Sequence, residues 1–145
     1  MQLLNYAYKQ KNNWTCGPAM ARVVLSYYGA RTTVPLLIKK LRTTRSGTGN
    51  RQILKLFKRN NLKFSVKTNS SLSDIKKYII SHWIIVAYYI PLHKEYHYSI
   101  VKSINSKRIY FHDTWFGSNH SYTLNYFENN WKDDEATKWM LAIKK

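Results

Sequence analysis

The stretch Gln10-Lys11-Asn12-Asn13-Trp14-Thr15-Cys16-Gly17-Pro18-Ala19 decides how this chain is read. It runs from polar coil into a helix, with one cysteine at the junction. Pro18 suits a first helical turn, where no intrahelical donor is needed. Ala19, Val23, Val24 and Tyr27 follow at helical spacing, and Gly29 is a natural stop, which predicts a helix over 16–28. Cys16 therefore stands where unpaired backbone N–H groups and the positive end of a helix dipole favour a thiolate over a thiol. The thiolate is the nucleophilic form. A free cysteine taken alone is more often a small buried residue, so its meaning depends on what else the chain brings to it.

Downstream of that helix, Thr33 is a candidate cap for a short helix carrying Leu36, Leu37 and Leu41. A turn-rich segment, Ser46-Gly47-Thr48-Gly49-Asn50, leads into a helix with Ile53, Leu54 and Phe57 that ends at Asn60-Asn61. Phe64 and Val66 alternate with polar neighbours as in a short strand. Ser71 and Asp74 resemble a capping pair for a helix bearing Leu72, Ile75 and Ile79. The period then changes. Residues 83–90 form a nearly continuous apolar run, which fits a buried strand stopped by Pro91. Residues 97–104 and 107–113 read as two strands around Asn105-Ser106. A short helix over 124–131 and a strand over 139–143 complete the chain. Helices first and mostly antiparallel strands afterwards is an α+β pattern.

A nucleophilic thiolate needs an imidazole beside it. Five histidines are available: His82, His93, His97, His112 and His120. His97 is the best placed, because it opens a strand directly after a polar loop. Asp113 ends the following strand and precedes a turn over 114–117, where a carboxylate could orient the ring of His97. Side chains alternate faces along a strand. His97 and Asp113 therefore share a face only if an odd number of residues makes the loop, or if a bulge intervenes. A three-residue loop centred on Asn105 would set them directly opposite each other. A plain two-residue turn would separate them.

The chain has 145 residues, 44% apolar and 15% aromatic, which suits one domain spanning 1–145 with a sizeable core. One cysteine excludes an intrachain disulfide and a multi-cysteine zinc site. No apolar run reaches the ~18 residues of a membrane span. Residues 1–10 show no secretory signal, so a cytoplasmic location is expected. Lys and Arg number 24 against 7 Asp and Glu, a net charge of +17. Such an excess attracts polyanions or acidic peptides. The basic residues are scattered, with no run of five or six, so the nucleic-acid signal is weak.

The stretch 10–19, followed by a helix ending Tyr27-Tyr28-Gly29, resembles the nucleophile region of the double-glycine leader peptidases. These are papain-like cysteine peptidase domains of bacteriocin-exporting ABC transporters. His97-Tyr98-Ser99-Ile100-Val101 resembles the family's histidine strand, and Ile109-Tyr110-Phe111-His112-Asp113, then Gly117, its aspartate strand. Phe127 and Trp131, Gly47-Thr48 before a helix, and Asn61-Leu62 after it also fit. The resemblance spans nearly the whole chain in the family's order. It implies a papain-like fold, with an N-terminal helical half on a C-terminal antiparallel sheet. It further implies that Cys16 is the nucleophile, His97 the general base and then acid, Asp113 the orienting carboxylate, and Gln10 the oxyanion-hole side chain. No cofactor or metal is implied. Two departures stand out: Thr15 replaces the Asp common before the cysteine, and Thr114 replaces the Pro common after the aspartate.

The expected activity is hydrolysis of a peptide bond through an acyl-enzyme. The expected partner is a peptide or protein substrate, with an acidic one favoured by the net charge, and any transporter is a separate chain. The same constellation could run transfer or deamidation instead. The competing reading is a peptidase-like module that binds a peptide or a polyanion, including nucleic acid, without chemistry.

Overall fold

A computed structural model describes residues 10–145. The reading of the first ten residues as lacking a signal falls, except for Gln10, outside the described residues. The order along the chain is α1 (Cys16–Tyr27), α2 (Val34–Lys40), α3 (Asn50–Arg59), β1 (Phe64–Lys67), α4 (Leu72–Tyr78), β2 (His82–Ile90), β3 (Glu95–Ile104), β4 (Arg108–Asp113), β5 (Gly117–Thr123), α5 (Leu124–Asn130) and β6 (Met140–Lys144). The fold is α+β, as the period change predicts. Thr33 caps α2 by accepting from the Leu36 N–H, and Ser71 with Asp74 forms a reciprocal capping box on α4.

The strands form one sheet in the order β1-β6-β2-β3-β4-β5, and each adjacent pair is antiparallel. Its two faces are covered by different helices. On one face, α1, α2 and α3 bring Met20, Val24, Leu37, Ile53 and Phe57 against Ile85, Ile100 and Leu141. On the other, α4, α5 and the residue that follows α5 bring Ile75, Phe127 and Trp131 against Ile84, Val86, Tyr88 and Phe111. The central strand β2 is thus buried on both sides, which is why its sequence reads as a continuous apolar run rather than an alternation. Each large side chain fully buried this way contributes roughly 1.5–3 kcal/mol.

One strand goes beyond the sequence expectation, and one condition left open there is settled. Residues 117–123, read only as following a turn, form strand β5 at the edge of the sheet. Their sequence, Gly-Ser-Asn-His-Ser-Tyr-Thr, lacks apolar alternation because an edge strand leaves much of its surface to water. The β3–β4 hairpin meets the parity condition through a bulge rather than through a three-residue loop. Asn105 pairs with Arg108 through its backbone N–H, and its side chain accepts from the N–H groups of Lys107 and Arg108. That is the two-residue turn that by itself would put His97 and Asp113 on opposite faces. A register shift between Val101 and Ser103 leaves Lys102 as an extra residue and restores the parity. Beyond it Ile100 pairs with His112, so Ser99 falls beside Asp113, with His97 one diagonal step further on the same face.

Candidate active site

Cys16 is the first residue of α1 and is 4% exposed. The helix start is packed rather than capped. Thr15 makes no side-chain cap; its hydroxyl donates to the Asn12 carbonyl at 3.2 Å, and its own carbonyl accepts from the Ala19 N–H at 3.0 Å. Gly17 is needed for close approach. A Cβ placed there would lie 2.5 Å from the Thr48 hydroxyl oxygen and 2.8 Å from its Cβ. The loop that leads into α3 therefore presses against the residue after the cysteine.

His97 lies near the start of β3, and its Nε2 is 3.0 and 2.9 Å from the two oxygens of Asp113. With Nε2 taken, Nδ1 remains for the thiol, and Cys16 is the second hydrogen-bond partner of the ring. Strand alternation puts His97 on the α4/α5 face while α1 packs on the other. Sulfur and imidazole meet where α1 and β3 both begin. Of the five histidines, His97 is the one hydrogen-bonded to Asp113 among the described residues.

Asp113 is fully buried as a side chain. Besides His97 it accepts from the Ser99 hydroxyl at 2.7 Å, the Tyr88 hydroxyl at 3.2 Å, and the backbone N–H groups of Trp115 and Phe116 at 2.8 and 2.9 Å. Burial works against the Asp113 carboxylate. The His97 charge and hydrogen bond, with those of Phe116 and Ser99, nonetheless hold it below the ordinary carboxylate range. Burial likewise opposes charge on His97, but the Asp113 charge and hydrogen bond, with help from Cys16, raise it to about 10. Burial and then the Asp113 charge keep the Tyr88 phenol well above its usual value, so it stays a donor. Phe116 closes the outer side: its ring lies 6.0 Å from that of His97 and stacks on His120 at 4.2 Å.

Gln10 reaches the same corner. Its backbone N–H donates to the Thr114 carbonyl at 2.7 Å, and its side-chain Oε1 accepts from the Thr114 hydroxyl at 2.6 Å. Its Nε2 donates to the Asn12 carbonyl at 2.7 Å. The four residues singled out by the sequence thus converge on one region. Sequence reasoning missed Tyr88, Ser99, Thr114 and Phe116. Ser99 had a signal, being a polar residue in an apolar strand two positions after His97 and hence on its face. Tyr88 had none, because it reads as part of the apolar run.

A cavity of about 520 Å³ opens beside Cys16 and His97, walled by Trp14, the loop 45–49 and the segment 94–98. Four of the chain's seven acidic residues, Glu95, Asp133, Asp134 and Glu135, line it, against Arg45 and Lys94. Two of them also build the wall: Glu135 accepts from the Asn50 N–H at the start of α3, and Asp133 accepts from the Asn50 side chain. The local charge of the cleft is therefore opposite to the net charge of the chain. The overall +17 is no guide to what enters, because screening over about 8–10 Å leaves nearby groups in control.

A helix-borne cysteine facing an imidazole from an antiparallel sheet defines the class, the papain-like peptidase domains. Residues 5–137 match the profile of the peptidase C39 family, and the chain belongs to that family. No curated protein matches the sequence significantly. Among solved structures, the chain is similar to the peptidase domain of Streptococcus ComA, a bifunctional ABC transporter involved in quorum sensing. That likeness has 17% identity, TM-score 0.78, and covers 94% of this chain and 96% of the other. It is also similar to a double glycine motif protease from an AMS/PCAT transporter, solved with its leader peptide, at 18% identity and TM-score 0.75 over 96% and 90% of the two chains. The N-terminal peptidase C39 like domain of a Vibrio parahaemolyticus toxin secretion ATP-binding protein follows at 14% identity and TM-score 0.62, covering 94% and 99%. At such identities the likeness shows the fold. Among the described residues no helix is long and apolar enough to cross a membrane.

Proposed function

We propose that this chain is a cysteine peptidase that hydrolyses a peptide bond through an acyl-enzyme on Cys16. The observation that carries the reading is the His97 ring set between the Asp113 carboxylate and the Cys16 thiol. Asp113 fixes the ring orientation and stabilises the imidazolium. Cys16 then serves as a thiolate paired with that cation. The sulfur attacks the carbonyl carbon, and negative charge moves to the carbonyl oxygen. The Cys16 backbone N–H and the Gln10 side-chain amide are the donors we assign to that oxygen. His97 gives its proton to the departing amine as the C–N bond breaks, leaving a thioester. Water then attacks the thioester, His97 takes its proton, and the C–S bond breaks to release the acid and restore the site.

The substrate is a peptide. The leader peptide bound by one similar structure supports this, and double-glycine sequences are the natural first test. The acidic peptide suggested by net charge finds no support in a cleft lined by four carboxylates. The test uses a library of peptides carrying Gly-Gly or Gly-Ala at the centre, followed by mass spectrometry. Cleavage after the second small residue, with an early acyl adduct on Cys16 and neither in Cys16→Ala, is the expected result. A library left as intact by the wild type as by Cys16→Ala, while still bound by both, would replace the peptidase with a binding module.

A further inference from the structure

A carboxamide presents a donor on one side and an acceptor on the other, and a half-turn exchanges them. An amide that stabilises an oxyanion must offer Nε2. The inverted orientation would aim a lone pair at growing negative charge. Gln10 is 4% exposed and has no bulk water to correct a wrong orientation. One contact removes the ambiguity and a second anchors the amide. The Asn12 carbonyl accepts from Nε2 at 2.7 Å, and an inverted amide would set two carbonyl oxygens against each other there. The Thr114 hydroxyl donates to Oε1 at 2.6 Å, so the acceptor side is held from behind. Nε2 carries two N–H groups. With one on Asn12, the second has no partner among the described residues.

Thr114 is itself 2% exposed and follows Asp113 directly. Its carbonyl also accepts the Gln10 backbone N–H, so one short corner holds both the His97-orienting carboxylate and the amide. Thr114 is one of the two positions where the chain departs from the pattern it resembles: a hydroxyl donor stands where proline, which has none, is common.

We propose that Thr114 is a positioning residue of this peptidase, whose hydroxyl locks the Gln10 carboxamide with one N–H directed to the oxygen of the acylation intermediate. This role rests on the peptidase reading above. It predicts a split between two reactions of the same sulfur. Alkylation by iodoacetamide forms the S–C bond at a saturated carbon and expels iodide, so it builds no charge on a carbonyl oxygen. Acylation by a peptide does.

The experiment compares wild type, Thr114→Val, Thr114→Ala, Thr114→Ser, Gln10→Ala and Thr114→Val/Gln10→Ala in the full chain. The probes are iodoacetamide and a peptidyl-Gly-Gly coumarin amide. Thr114→Val and Thr114→Ala should lower kcat by about tenfold or more, short of the ~10²–10³-fold expected for losing a donor outright, with KM little changed. Their alkylation rates should stay within about twofold of wild type, and Thr114→Ser should recover most of the turnover. On the Gln10→Ala background, Thr114→Val should cost less than about twofold more, since its route of action is already gone. Equal losses in alkylation and turnover, or a full Thr114→Val loss on the Gln10→Ala background, would overturn the proposal. A wild type whose thiol alkylates but never turns over peptide would instead overturn the peptidase reading, and with it this role.

Discussion

Asp113 and Cys16 sit at the two ends of one short chain of contacts, yet they are held by different means. Asp113 accepts from five donors: His97, Tyr88, Ser99 and the N–H groups of Trp115 and Phe116. Cys16 is placed chiefly by backbone and packing, at a helix start with no side-chain cap and with Gly17 against Thr48. A buried carboxylate stays ionised only if nearly every lone pair is met, because an unmet buried charge costs several kcal/mol. A sulfur needs only a location and a partner. Changes at the carboxylate end should therefore act through charge and hydrogen bonding, and changes at the cysteine end through steric fit.

The largest effect expected is the loss of the reacting groups themselves. Cys16→Ala and His97→Ala should each reduce peptide turnover to background, and the double variant should be no worse than either alone. Additive losses measured in a double-mutant cycle would mean that the two do not act as a unit. Next comes Asp113→Asn, which keeps the shape but removes the charge and can favour the wrong tautomer of His97. Turnover should fall about 10²–10⁴-fold.

The same variant exposes the electrostatics through stability. Asp113 has a lowered value in the folded state, so its contribution is present above the ordinary 3.8 and is lost as pH falls below it. His97 is raised, so its contribution is complete below the ordinary 6.5 and is lost as pH rises toward about 10. The difference in Tm between wild type and Asp113→Asn should be greatest between those two ordinary values and shrink on both sides. A difference that stays flat from pH 5 to about 10 would deny the buried ion pair.

At the cysteine end, Gly17→Ala forces its new methyl group onto Thr48, whose hydroxyl is tied to Thr43 at 2.7 Å. Overpacking of this kind costs about 1–3 kcal/mol. Pairing it with Thr48→Gly, which removes both the hydroxyl and the Cβ that the new methyl meets, should recover much of that loss. No recovery would mean that the helix start is not held by this contact. The smallest effect is expected from Tyr88→Phe, whose hydroxyl makes the longest of the five bonds to Asp113. A fall in turnover below about tenfold, with stability reduced by about 1–2 kcal/mol, fits one donor among five.

Much of this site was legible in the sequence because its parts lie at element boundaries with strong local signals. Pro18 and Gly29 bracket α1, and Pro91 closes β2, so Cys16 and the strand that carries His97 could be placed by number. The sequence leaves parity along the β3–β4 hairpin open, since a bulge at Lys102 leaves no mark in side-chain chemistry. The edge strand β5 was missed because it buries too little to show a period. The acidic cleft was hidden for a different reason. Glu95 and residues 133–135 lie far apart in the chain and are swamped by 24 basic residues in any overall charge. Composition sums over the whole surface, whereas a substrate meets only the groups around it.

The most direct test of the central claim, that His97 and Cys16 form a working pair, is the second-order rate of Cys16 alkylation by iodoacetamide at neutral pH. The account predicts a wild-type rate well above that of a free thiol peptide, falling by about tenfold or more in His97→Ala while that variant stays folded. Equal rates in the two proteins, neither faster than the free thiol, would contradict it.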